Sequence, residues 1–174
     1  MNTLIRGLGW LAATLGAVLL GWGLWPSPQH TFTTEIGGAR LAFTVPTALR
    51  LGDAPVARLE VFPKATPSPG QEPRLAVRLT FNGVEVVPPG EVALTVGQDA
   101  PARFTWRLRA QASGSALGSF WVYQIFPDGS RLARLTYPLH LRVRTFLGLN
   151  GAEARLLGLF AVFVAAVLAF AARR

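Results

Sequence analysis

The chain contains no cysteine, which removes disulfides, thiolate metal sites, iron–sulfur ligation and cysteine nucleophiles from the chemistries open to it. Lysine is nearly absent too. Of 17 basic residues against nine acidic ones, a net charge of +8, all but Lys64 are arginine. Only two histidines, His30 and His140, are present, and the carboxylates fall at no metal-ligand spacing. No serine stands in a Gly-x-Ser-x-Gly elbow, and Ser113-Gly114-Ser115 reads as a loop. The expectation is a protein that is not an enzyme, carries no cofactor or metal, and is stabilised by its core alone.

Charge is also missing from two long stretches, one near each end. Gly7 to Trp25 is uncharged and rich in Leu, Ala, Val and Trp, about the 20 residues a helix needs to cross a hydrocarbon core. Trp10 near one end and Trp22 and Trp25 near the other are placed to anchor the helix in the membrane interfaces, where an indole keeps its N–H hydrated. Pro26 and Pro28 end it. An export signal has the same Arg6-plus-apolar form, but the small residues of a cleavage site are missing where Leu24, Trp25, Pro26, Ser27 and Pro28 stand. An uncleaved signal anchor is expected.

The second span is Leu156 to Ala172. Asn150 followed by Glu153 forms a capping-box pattern that starts the helix at Gly151. Arg6 before the first span and Arg173 and Arg174 after the second predict that both termini are cytoplasmic and the middle domain is extracytoplasmic, since a long intervening loop escapes the charge rule. Gly9, Ala13, Ala17 and Gly21 recur every four residues, as do Ala161, Ala165 and Ala169, and such stripes are expected to pack helices closely. Neither span carries a buried charge that would mark an ion path.

The expected organisation is an N-terminal transmembrane helix over 1–26, an extracytoplasmic domain over 27–144, and a juxtamembrane turn with the C-terminal transmembrane helix over 145–174. In the middle, Pro and Gly recur every eight to twelve residues between alternating apolar and polar positions, the pattern of an antiparallel β-sandwich. Arg74–Phe81 is the clearest strand, with Leu75, Val77, Leu79 and Phe81 on one face, and Asn82-Gly83 predicts a hairpin into Val84–Val87. Phe104, Trp106 and Leu108 point inward while Arg103, Arg107 and Arg109 point out. Phe120–Phe126 leads through Pro127-Asp128-Gly129 to Arg131–Tyr137, and Leu139, Leu141 and Val143 alternate with His140, Arg142 and Arg144. Weaker strands fall at Thr31–Ile36, Arg40–Val45, Val56–Phe62 and Glu91–Val96, for seven to nine in all. Pro63–Pro73 is an exposed loop.

From Thr31 to Arg144 the chain resembles the generic bacterial membrane-anchored immunoglobulin-like or fibronectin-like sandwich, with Trp106 standing for the core tryptophan and no cysteine pair. The resemblance is architectural and assigns no functional residue. If Arg103, Arg107, Arg109, Arg142 and Arg144 share one sheet, they form a basic face for an acidic partner or anionic lipid. The reading is a non-catalytic accessory subunit of a larger bacterial membrane complex, for example a respiratory, photosynthetic or translocation assembly. Its partners would be other membrane subunits and lipid, without nucleic acid or a small-molecule ligand. The alternative is a membrane-anchored ligand- or carbohydrate-binding module using Trp121 or Tyr123.

Overall fold

The computed structural model describes residues 2–36, 39–63, 74–96 and 101–172. Lys64, most of the expected proline-rich loop, and Arg173 and Arg174 lie outside the described residues. The chain divides into two compact units: a helical unit of 1–26, 50–53 and 144–174, and a β unit of 27–49 and 54–143. The turn Arg50–Asp53, in the middle of the sequence, thus belongs with the helices.

In the helical unit, α1 (Asn2–Leu24) and α2 (Gly151–Ala171) have 23 and 21 residues, lengths of about 34 and 32 Å at 1.5 Å per residue. Both are long and apolar enough to cross a membrane. The expected capping box is present: Asn150 Oδ1 accepts from the Glu153 backbone N–H and Glu153 Oε2 accepts from the Asn150 N–H, each at 2.8 Å. Two of the donors left open at the start of α2 are satisfied there, and the Glu153 charge suits the positive end of the helix.

The described residues of the β unit form β1 (Gln29–Ile36), β2 (Ala39–Pro46), β3 (Ala48–Arg50), β4 (Val56–Pro63), β5 (Arg74–Phe81), β6 (Val84–Val87), β7 (Glu91–Thr95), β8 (Ala102–Ala110), β9 (Gly114–Ile125) and β10 (Arg131–Arg144). They make two five-stranded sheets, in the orders β1-β2-β4-β8-β6 and β3-β10-β9-β5-β7. The protein is mainly β, an immunoglobulin-like sandwich with a long apolar helix at each end.

Alternation decides what goes inside. Phe43, Leu59, Trp106 and Leu108 from the first sheet meet Leu75, Val77, Leu79, Phe120 and Leu141 from the second, each at most 2% exposed. The two layers are joined by aromatic contacts. Phe43 stacks on Phe120 with centroids 4.1 Å apart, and Phe32 stacks on Tyr137 at 4.3 Å. Trp106 meets Phe120 edge-on at 6.3 Å. At Gly118 the absence of a side chain is needed, because a Cβ would lie 2.3 Å from the Phe81 ring. At the expected turn, Asp128 Oδ1 accepts from the Ser130 hydroxyl and backbone N–H, at 2.6 and 2.8 Å. These two bonds, the hydroxyl's first, hold the Asp128 carboxyl below its ordinary pKa.

Local chemistry placed most strands to within a few residues, with four differences. The short β3 (Ala48–Arg50) matches no expected strand and brings the described strands to ten, beyond the seven to nine expected. The Asn82-Gly83 turn exists, with φ +74° at Gly83, but it is not a hairpin: β5 belongs to the second sheet and β6 to the first. The Asn82 N–H instead donates to the Leu117 carbonyl at 2.8 Å. Arg131 to Arg144 is one strand running through Pro138, with a register shift between Ala133 and Leu135. The Ser113–Ser115 loop is shorter than expected, since Gly114 and Ser115 open β9.

Trp106 supplies a test. It is 1% exposed and its indole N–H has no hydrogen-bond partner. Trp106→Ala should cost about 3–5 kcal/mol through the cavity it opens. Trp106→Phe should cost clearly less, because it also removes an unsatisfied donor. Thermal unfolding of the full chain in mild detergent, followed by near-UV circular dichroism, would check both. An unchanged midpoint for Trp106→Ala would contradict its place in the core.

Candidate functional site: the helix pair and its charged end

The helices pack along glycines. Gly9 lies against Ala165 and Leu168, Gly16 against Gly158 and Val162, and Gly23 against Gly151 and Arg155, so α1 and α2 run antiparallel. A Cβ on Gly16 would come within 2.8 Å of Val162 Cγ2 and 2.9 Å of the Gly158 carbonyl oxygen, and one on Gly158 within 2.8 Å of Leu20 Cγ. Backbones this close are what small residues permit between membrane helices.

The seam is not the expected stripe. Ala17 and Gly21 are exposed, with nothing within 4 Å of a Cβ at Gly21, and Ala169 is exposed as well. Ala13 and Ala161 are half-buried, while Gly9 and Ala165 stand in the seam. The reason is geometric. A four-residue step advances a helix by about 40° beyond a full turn, so a stripe of period four winds off the contact face within three steps. A seven-residue step drifts only about 20°. Gly9, Gly16 and Gly23 on α1, and Gly151, Gly158, Ala165 and Ala172 on α2, keep that heptad spacing; all but Gly9 are buried.

One end of the pair is closed by charge. The last carbonyls of α1 have no partner within the helix, and two guanidinium groups supply donors. Arg50 Nη1 donates to the Trp22 carbonyl at 2.7 Å and also to that of Trp25, and Arg155 Nη1 donates to Gly23 at 3.1 Å. Asp53 holds both arginines, accepting from Arg50 Nε at 2.7 Å and from Arg155 Nη2 at 3.1 Å. The Arg50 and Asp53 side chains are only 14% and 13% exposed. Positive charge at a helix C-terminus is also favoured by the helix dipole.

The backbone that carries Arg50 and Asp53 is tied to α2. Leu51 donates to the Arg144 carbonyl and accepts from the Gly151 N–H, at 3.1 and 2.9 Å. Gly52 adopts φ +84°, a conformation glycine takes without strain. Nothing in the sequence marked Arg50 or Asp53, because their partners lie 25, 28 and 102 residues away.

Of the three tryptophans expected at the membrane interfaces, Trp10 and Trp25 are 76% and 71% exposed. Trp22 is half-buried, packed on Phe146 with centroids 5.5 Å apart and beneath the Arg50 guanidinium. Its indole serves the unit's interior, because Arg50 draws it in. The turn that precedes α2 holds Leu147 at φ +52°, a costly conformation for leucine, with the side chain 81% exposed.

On the β unit the basic face does not assemble as expected. Arg103, Arg107 and Arg109 are on β8 of the first sheet, Arg142 and Arg144 on β10 of the second. Carboxylates are also interleaved: Glu35 stands opposite Arg40, Glu60 opposite Arg103, and Glu85 opposite Arg109. The Glu60–Arg103 pair is 3.2 Å apart, and on the second sheet Glu91 binds Arg131 at 2.7 Å. His30 and His140 are exposed. The rings of Trp121 and Tyr123, half-buried on the outward face of β9, lie 6.2 Å apart and 5° from parallel.

No protein-family model and no curated protein matches the chain. Among solved structures, a chain of the complex between Zinc 2-glycoprotein and Prolactin inducible protein from human seminal plasma is 16% identical. It covers 67% of this chain and 93% of its own, with a TM-score of 0.44. The native conformation of E. coli alpha-2-macroglobulin is 15% identical over 61% of this chain and 8% of its own, at 0.44. A conjugative transposon lipoprotein from Bacteroides eggerthii is 12% identical over 66% and 98%, at 0.33.

The seam and its charged end yield paired tests. Gly16→Leu and Gly158→Leu should separate the helices, whereas Gly21→Leu adds the same volume and should leave the pair intact. Disulfide cross-linking between cysteines placed at residues 9 and 168 reads the pairing directly. Equal cross-linking in all three variants would contradict the seam. Asp53→Asn, which leaves two guanidiniums facing each other without their carboxylate, should cost about 1.5–3 kcal/mol of thermal stability. No change in midpoint would show that Asp53 is idle.

Proposed function

We propose that the chain is a two-pass membrane protein whose termini are cytoplasmic and whose sandwich is extracytoplasmic, and that it serves as a non-catalytic accessory subunit of a larger membrane complex. The observation that carries this reading is the antiparallel helix pair. A seam lined by glycine and alanine turns the bulky apolar side chains outward, among them Leu11, Leu15, Phe160 and Phe163, each at least 52% exposed. Lipid or another apolar partner must cover them.

An antiparallel pair puts Arg6 and the end of α2 at one end of the unit, and the anionic inner leaflet favours that basic end. At the other end Arg50 and Arg155 are engaged by Asp53. Binding rather than chemistry is supported by Glu35, Glu60, Glu85 and Glu91 on the sandwich, which stand opposite or in ion pairs with arginines.

Fusions of reporters active only in the cytoplasm or only in the periplasm, placed at residue 174, test the topology; periplasmic activity would reverse it. Purification in mild detergent tests the accessory role. A defined set of membrane subunits should accompany the wild type. Gly21→Leu, which leaves the internal pair intact, should weaken that association if partner helices meet α1 at its exposed small residues.

The parallel Trp121 and Tyr123 rings favour a second reading, a sandwich that binds a sugar by stacking. Under it the chain would purify alone, and glycan retention would be lost in Trp121→Ala.

A further inference from the structure

Where α1 begins and α2 ends, the pair opens into a groove of about 390 Å³, within the size range of small-molecule sites. Its walls are Ile5, Gly9 and Ala13 from α1, Ala165 and Ala169 from α2 and the capping Ala172, all apolar, and among the described residues Arg6 and Trp10 are the only polar side chains and no carboxylate lines it. The groove therefore joins a hydrocarbon-lined channel to the Arg6 guanidinium, with an exposed indole beside it.

We propose that this groove is a binding site for one anionic phospholipid, whose acyl chain lies between the helices and whose phosphate is held by Arg6. This rests on the reading of α1 and α2 as membrane spans. The charge complementarity decides the occupant. An uncharged partner helix filling the groove would leave Arg6 with no opposite charge, whereas an anionic phospholipid supplies both the apolar chain and the charge at once. A guanidinium matches the geometry of phosphate and binds it by charge-assisted hydrogen bonds. Trp10, 76% exposed, places its N–H at the headgroup level. Basic sites between membrane helices on the cytoplasmic side are suited to anionic headgroups.

Two substitutions separate the parts of the site. Ala169 lines the groove but is exposed and outside the seam, so Ala169→Leu fills the channel without separating the helices. Arg6→Gln removes the charge and leaves the channel. The full chain is reconstituted in vesicles of equal phosphatidylglycerol and phosphatidylcholine, extracted in mild detergent, and its retained lipid identified by native mass spectrometry.

Wild type should retain one phosphatidylglycerol per chain, with at least about tenfold preference over phosphatidylcholine, equivalent to one charge-assisted contact. Arg6→Gln should retain lipid without preference, and Ala169→Leu should retain none. Retention by Ala169→Leu equal to wild type, or no headgroup preference in wild type, would overturn the site. So would a photo-cross-linker at residue 169 that captures a protein in native membranes in place of lipid. Alkaline carbonate extraction of the same vesicles separates the two ways of failing. A chain that stays embedded but retains lipid indifferently refutes only the lipid site, whereas a chain released into the wash refutes the membrane reading beneath it.

Discussion

The distance at which α1 and α2 can approach governs the helical unit. With glycine at 16 and 158 the backbones nearly touch, and a single added Cβ meets carbonyl oxygen or a branched side chain. Close packing is what holds the pair, and two consequences follow from the glycine seam. The start of α1 and the end of α2 are brought to the same end of the unit, and the large side chains are displaced to its outside.

The charged end of the pair answers a different constraint. The last carbonyls of a helix have no partner within it, and an unpaired backbone group away from water is costly. Two arginines from distant parts of the sequence supply the donors, and one carboxylate fixes both of them. Because Asp53 and Arg50 sit on a turn that is backbone-bonded to Gly151 and Arg144, the same few residues cap α1, lead into α2 and hold the two helix ends at one level.

Patterns that depend on near neighbours were legible in the sequence. Uncharged length located both helices, Asn150 and Glu153 announced the start of α2, and period-two alternation located the strands and the inward set of Leu75, Val77, Phe104 and Trp106. What failed depended on long-range geometry. The turn chemistry at Asn82-Gly83 predicts a reversal but not whether the next strand joins the same sheet. A four-residue run of small residues looked like a packing stripe, although a heptad matches the twist of a close antiparallel pair better. Arg50 and Asp53 carried no local signal, since their roles arise from partners elsewhere in the chain.

The distribution of arginine on the sandwich shows why net charge alone misleads. Glu35, Glu60, Glu85 and Glu91 each stand directly opposite an arginine on the neighbouring strand. A one-residue slip would turn these side chains to the opposite face and bring charge into the apolar interior, so the pairs favour the register in which the core is closed. Those arginines have a structural task, and a surface of alternating sign is a poor match for a uniformly acidic partner. Arg58 and Arg107 stand opposite threonine and valine on the first sheet, Arg74 and Arg142 opposite neutral residues on the second, and Arg134 donates to Gln124. The positive charge outside the Glu–Arg pairs is therefore spread over both sheets. Charge so spread suits individual carboxylates or phosphates at defined positions rather than a broad negative field.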